Sequence, residues 1–228
     1  MKWYWQSLLM SMVLGAVGNS VWAQQQAPTV GVVDPIKAGL LPQDTNALAK
    51  KAASAFTKRD WKTAREAYGE MLKAEPDNAL AWANLGAVEQ QAGNLNAAVE
   101  AFEQSVKFNS SLVQSWTALG LAYSERGDMY RALSALARAV HEDPGDARAH
   151  NYLAIVANKF GWAATAQSEF EKAIKLKPDY GIAHFNLALT YLDQKPPAVE
   201  LGRRHYEQAV KLGVEKDEIV ERKLKDNP

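Results

Sequence analysis

The chain contains no cysteine. That absence excludes disulfides, thiolate metal sites, a cysteine nucleophile and the acylated cysteine of a lipoprotein. An excess of either charge is also missing, because 26 Lys and Arg meet 26 Asp and Glu and no basic block stands out. The electrostatic footprint of nucleic-acid binding is therefore lacking, and no nucleic-acid partner is expected. Long apolar runs are short of what a membrane needs. The stretch from Leu8 to Val17 is interrupted at Gly15 and followed by Gly18, and its length of about ten residues falls below the ~20 that span a bilayer. No Gly-rich turn follows a strand and no His-Glu-x-x-His helix occurs, so nucleotide and zinc-hydrolase chemistry has no anchor.

What is present begins with an N-terminal pattern. Lys2, the apolar stretch and then Asn19-Ser20-Val21-Trp22-Ala23 read as a secretory signal peptide over 1–23, with Ala23 at the cleavage position. Retention as an anchor is the alternative. Cleavage leaves an exported chain starting at Gln24, periplasmic where the cell has two membranes, with no stable membrane span. Residues 24–44 carry Pro28, Pro35 and Pro42 and a short apolar run at Val30 to Val33 without helical period, and read as a linker.

Everything after the linker repeats. Trp82-Ala-Asn-Leu-Gly86 returns as Trp116-Thr-Ala-Leu-Gly120, and His150-Asn-Tyr-Leu-Ala154 returns as His184-Phe-Asn-Leu-Ala188, each after 34 residues. A period of that length denotes a helix-turn-helix unit. Five units fit, at 45–78, 79–112, 113–146, 147–180 and 181–216, followed by a short charged cap helix and tail over 217–228. The eighth position of each unit is Ala52, Gly86, Gly120, Ala154 or Ala188, and the twentieth is Ala64, Ala98, Ala132, Ala166 or Gly202. All are small. Gly inside a helix costs about 1 kcal/mol relative to Ala, so close approach of two helices must offset it at Gly86 and Gly120. Position 24 is Tyr68, Phe102, Leu136, Phe170 or Tyr206, a bulky side chain expected to fill the space between hairpins. Asp60, Asn94 and Asp128 are expected to cap second helices, and Pro76, Pro144 and Pro178 to end them.

In these positions the sequence resembles the tetratricopeptide repeat family over about three quarters of its length. The resemblance implies an all-α fold, a right-handed α-solenoid of about five repeats with a C-terminal cap helix. Repeat one departs with Leu48 and Lys51 where Trp and Leu are usual, and repeat five with Lys195-Pro196-Pro197 and an enlarged turn.

The family's function is to bind a peptide or helix in the concave groove made by first helices. Its groove positions, carried onto this sequence, are Asn84, Leu121, Arg148, Asn151, Tyr152, Ile155, Asn158, Lys159, Ile182, Phe185, Asn186, Leu189 and Leu192. Repeats four and five thus present an apolar lining, with Asn84, Asn151 and Asn186 placed to pair with a partner's backbone. The family's clamp for a C-terminal carboxylate is absent, since Ala49, Ala53, Gln114 and Ala118 stand at its positions. The expected role is an exported scaffold or adaptor in cell-envelope assembly or secretion, binding a protein or peptide, with no catalytic residue, cofactor or metal. Two alternatives are self-association with the groove occupied by Val30 to Leu41, and a hydrolase or metal protein using His150 and His184. For those histidines the blander reading is that they fill the Trp82 and Trp116 site as partly buried polar aromatics.

Overall fold

The structure, a computed structural model, describes residues 43–226. The expected signal peptide, most of the linker and Val30 to Leu41 lie outside the described residues. Contacts divide what is described into two compact units, 43–178 and 179–226.

The first unit holds eight helices: α1 (Gln43–Thr57), α2 (Trp61–Ala74), α3 (Ala79–Gln91), α4 (Leu95–Phe108), α5 (Val113–Arg126), α6 (Met129–Glu142), α7 (Ala147–Lys159) and α8 (Ala163–Leu176). They pack as consecutive pairs, each pair against the next, and the first helices α3, α5 and α7 also touch in series. This is an α-solenoid. The start of α1 at Gln43 takes the last two residues of the expected linker into the helix.

The small residues explain the pairing. Ala52, Ala64, Ala98, Ala132, Ala154 and Ala166 are all fully buried. A Cβ added to Gly86 would lie 2.7 Å from the ring of Phe102, and one added to Gly120 would lie 2.5 Å from Leu136 Cγ and 3.3 Å from the carbonyl oxygen of Ala132. The bulky side chain at position 24 therefore sits first on the glycine of its own hairpin, which corrects its expected place between hairpins. It reaches onward as well, since Phe102 shares one buried cluster with Ala118, Leu119 and Ala122. Burying a side chain of that size contributes about 1.5–3 kcal/mol.

The ends of the helices follow partly from the expected signals. α2, α6 and α8 each stop two residues before Pro76, Pro144 and Pro178. The Asp60 side chain accepts from Thr63 N at 3.1 Å and caps α2. Asn94 and Asp128 make no such bond, a correction with a local cause: the Asn94 amide donates to Glu89 at 2.8 Å, and Asp128 is held by Arg126 Nε at 3.0 Å. First helices have caps of their own, with Asn78 accepting from Ala81 N at 2.9 Å and Asp146 from Arg148 N at 2.9 Å. One turn residue per repeat is left-handed: Gly93, Gly127 and Gly161 have φ of 82, 91 and 76°, and in the first repeat the place is taken by Arg59 at 57°.

The second unit holds α9 (Gly181–Leu192), α10 (Val199–Lys211) and α11 (Glu218–Asp226). Gly202 meets Leu192 at 2.7 Å and the carbonyl of Ala188 at 3.3 Å in the same sense, so the small-residue register survives the enlarged turn over 193–198. α11 is tied down by Tyr206, whose hydroxyl accepts from Asp217 N at 2.8 Å. Asp217 in turn caps α11, accepting from Ile219 N at 2.9 Å and Val220 N at 3.0 Å.

Candidate functional site

In the unit of residues 43–178, the first helices α3, α5 and α7 lie side by side, and their shared face carries two polar rows. The inner residues are Thr117 and Asn151, which share one repeat position, and Asn84, one position further on, with 7, 0 and 1% of each exposed. Asn84 Oδ1 and Thr117 Oγ1 are buried without a hydrogen-bond partner. The outer row joins Gln90 to Glu125 at 3.0 Å and ends on Lys159, which donates to Ser124 Oγ at 3.1 Å. Gln90 Oε1 is another buried acceptor with no donor. Native proteins seldom leave buried polar atoms unmatched; Tyr68 Oη and Glu75 Oε1, away from the first helices, are unmatched as well.

Electrostatics sharpen the outer row. Glu125 and Lys159 each keep an exposed end, yet the protein around them pushes the Glu125 carboxyl up, with the Gln90 bond and the Lys159 charge opposing. The same desolvation pushes Lys159 down, with Glu125 opposing. Burial also raises the Tyr152 hydroxyl.

The other expected groove residues divide by exposure. Arg148 is exposed, Tyr152 and Asn158 are half-buried, and Leu121 and Ile155 are buried. Within residues 43–178 the expected groove residues that reach the surface are thus mostly polar, while the aliphatic ones are buried. In the C-terminal unit Phe185 and Leu192 are core residues, clustered with Tyr206, Val214, Val220 and Leu224, with Ile182 and Leu189 packed beside them. Phe185 and Leu192 thus pack with the unit's own α10 and cap helix α11, while Ile182 and Leu189 stay half-buried. Asn186 is buried as well. Sequence reasoning missed Gln90, Thr117 and Glu125, although they stand at the twelfth, fifth and thirteenth positions of their repeats and the groove rule reaches all three.

The histidines serve the fold. Trp82 Nε1 donates to the carbonyl of Pro76 and Trp116 Nε1 to that of Ser110, both at 2.8 Å. His150 Nε2 sits 3.1 Å from the carbonyl of Pro144, six residues back in the same way. Its Nδ1 meets Glu169 at 2.5 Å, and Glu169 also accepts from Lys172 at 2.6 Å. His184 Nδ1 faces His205 Nδ1 at 3.0 Å. At 4 and 7% exposure both histidines are buried rather than partly buried. Among the described residues no group of three or more His, Cys, Asp or Glu could hold a metal ion, and no helix is long and apolar enough to cross a membrane.

A second feature lies on the turn edge. Phe160 stands 5.1 Å from Tyr130 and 5.0 Å from Trp162 between ring centroids, and Tyr130 is 79% exposed. Trp162 occupies the place of Asp60, Asn94 and Asp128 in the earlier repeats, so α8 has no side-chain cap.

Known proteins agree with this architecture. The tetratricopeptide repeat model matches residues 50–111 and 117–166. No curated protein matches. Among solved structures, the MamA protein is 26% identical with a TM-score of 0.65, covering 74% of this chain and 91% of its own. Pseudomonas aeruginosa PilF is 18% identical with a TM-score of 0.68, covering 75% and 78%. YrrB, a tetratricopeptide repeat protein with an unusual peptide-binding site, is 19% identical with a TM-score of 0.62, covering 86% and 98%. At their identities PilF and YrrB speak to the fold alone. Proteins of this fold are in general non-enzymatic interaction scaffolds. With the repeat spacing, the paired helices and the matched model in agreement, the chain belongs to the tetratricopeptide repeat family.

Proposed function

We propose that the chain is an exported adaptor that holds an extended or helical segment of another protein against the face of α3, α5 and α7, in the assembly of the cell envelope or in secretion. The observation that carries this reading is the set of polar side chains that reach the surface along the first helices, Glu125 of α5 and Arg148, Asn158 and Lys159 of α7. A polypeptide supplies backbone N–H and C=O groups at a regular rise, so a segment drawn across the face pairs with several of them together. Arg148 and Lys159 are cationic and keep exposed side chains, which suits a partner with carboxylates near its docking segment. The peptide-binding site of YrrB is a parallel on the same fold. Export is supported by the pattern over 1–23.

A photo-reactive residue in place of Tyr152 tests the site in living cells. The expected result is a discrete crosslinked partner that disappears when Arg148 and Lys159 are both replaced by Glu. Crosslinks unchanged by that replacement would remove the face from the account. Fractionation of the same cells tests export: a full-length chain confined to the cytosol would defeat it.

A further inference from the structure

The C-terminal unit carries a cleft of about 450 Å³ between α10 and α11, within the range of sites that hold organic ligands. Its floor is apolar, made by Tyr206, Val210 and Leu224. Its rim is cationic: Arg203, Lys211, Lys216 and Lys225 stand against Glu207 and Glu221 in a chain whose overall charge is zero. Two of the cations are engaged. Lys216 lies 3.6 Å from Glu221, and Arg203 lies 3.8 Å from Glu200 and reaches the carbonyl of Leu224 at 3.5 Å. Lys211 and Lys225 have no carboxylate partner among the described residues.

The placement of those two lysines identifies the occupant. Lys211 ends α10 and Lys225 lies on α11, so positive charge stands on both walls of an apolar floor. A complementary occupant must carry an apolar group with negative charge on each side of it. A fatty acid or a phospholipid carries its charge at one end only. A peptide segment in which Leu or Phe is flanked by Asp and Glu carries it on both.

We propose that the cleft between α10 and α11 is a second docking site, which takes an acidic segment of a partner protein with a large apolar side chain at its centre. The apolar side chain sits on Tyr206, Val210 and Leu224, and the flanking carboxylates pair with Lys211 and Lys225. This site does not rest on the face carried by residues 43–178.

The test uses the purified full chain and a short fluorescent peptide with two adjacent leucines between pairs of glutamates, followed by anisotropy. Saturable binding is expected, weakened by about tenfold when salt rises from about 50 to about 300 mM, because exposed charge pairs are screened over that range. Lys211→Glu with Lys225→Glu is expected to lower affinity by at least about tenfold while circular dichroism stays unchanged, since both side chains are exposed. A peptide with lysines in place of the glutamates is expected not to bind. The proposal is overturned if the acidic and basic peptides bind alike, if the double variant binds as well as the parent, or if the protein ignores the peptide. Capture by vesicles of phosphatidylglycerol and phosphatidylcholine without peptide binding would assign the cleft to lipid instead.

Discussion

The ring of Phe102 lies over the backbone of Gly86 so closely that a methyl group added there would stand 2.7 Å from it. Phe102 is fully buried, so a retreating ring would press on the neighbours of its own cluster.

Replacing Gly86 by Ala gains helix propensity of about 1 kcal/mol but overpacks the hairpin by about 1–3 kcal/mol. A net loss of about 1 kcal/mol is expected, read as a lower urea midpoint. Gly69, also inside a helix, has nothing within 4 Å of an added Cβ, and Gly69→Ala is expected to stabilise by about 0.5–1 kcal/mol. Equal effects at the two sites would contradict the packing account.

Arg59 holds a left-handed backbone where the next three repeats have glycine. That conformation costs a residue with a Cβ about 1–2 kcal/mol, part of which glycine returns through its greater freedom in the unfolded chain. Arg59→Gly is therefore expected to raise stability by about 0.5 kcal/mol. A thermal melt no higher than that of the parent would show that the turn is relaxed.

Asn84→Leu separates stability from function. The substitution removes a buried acceptor that has no donor, so stability is expected to hold or rise by up to about 1 kcal/mol. Partner capture is expected to stay unchanged, because the Asn84 oxygen is closed to a docking segment. A large loss of stability would mean that the Asn84 amide holds the free protein together.

Glu169 gives a pH dependence. Burial pushes its carboxyl up, but the bonds from Lys172 and His150 outweigh burial and leave it below the ordinary value of 4.5. A folded pKa below the unfolded one means stabilisation that is complete above the unfolded value and lost as pH falls through the folded one. Urea midpoints are expected to fall in acid below pH 4.5, and less steeply in Glu169→Gln. An identical slope in the variant would clear this residue of the effect.

The repeat spacing made the hairpins legible because a Cβ either fits between two helices or does not, and the alanines and glycines at positions 8 and 20 report that directly. Caps were harder to read. Asn94 and Asp128 are of the right type, but each has a competing partner, Glu89 for one and Arg126 for the other, and a residue's type says nothing of which partner wins. Phe185 and Leu192 show a different limit. A period tells which face of a helix they share, whereas the helix that covers them, with Val220 and Leu224, lies outside the repeat. The polar rows were within reach of the groove positions, but three of their members, Asn84, Thr117 and Gln90, bury a hydrogen-bonding oxygen, and burial is a property of the packed neighbours.

The bond from Trp82 to Pro76, repeated by Trp116 to Ser110 and His150 to Pro144, spans only six residues of chain. Each turn is thus fastened by its own helix, with no distant segment required. Assembly within residues 43–178 has no obligatory starting point: any hairpin serves as a seed, and order spreads to its neighbours in both directions.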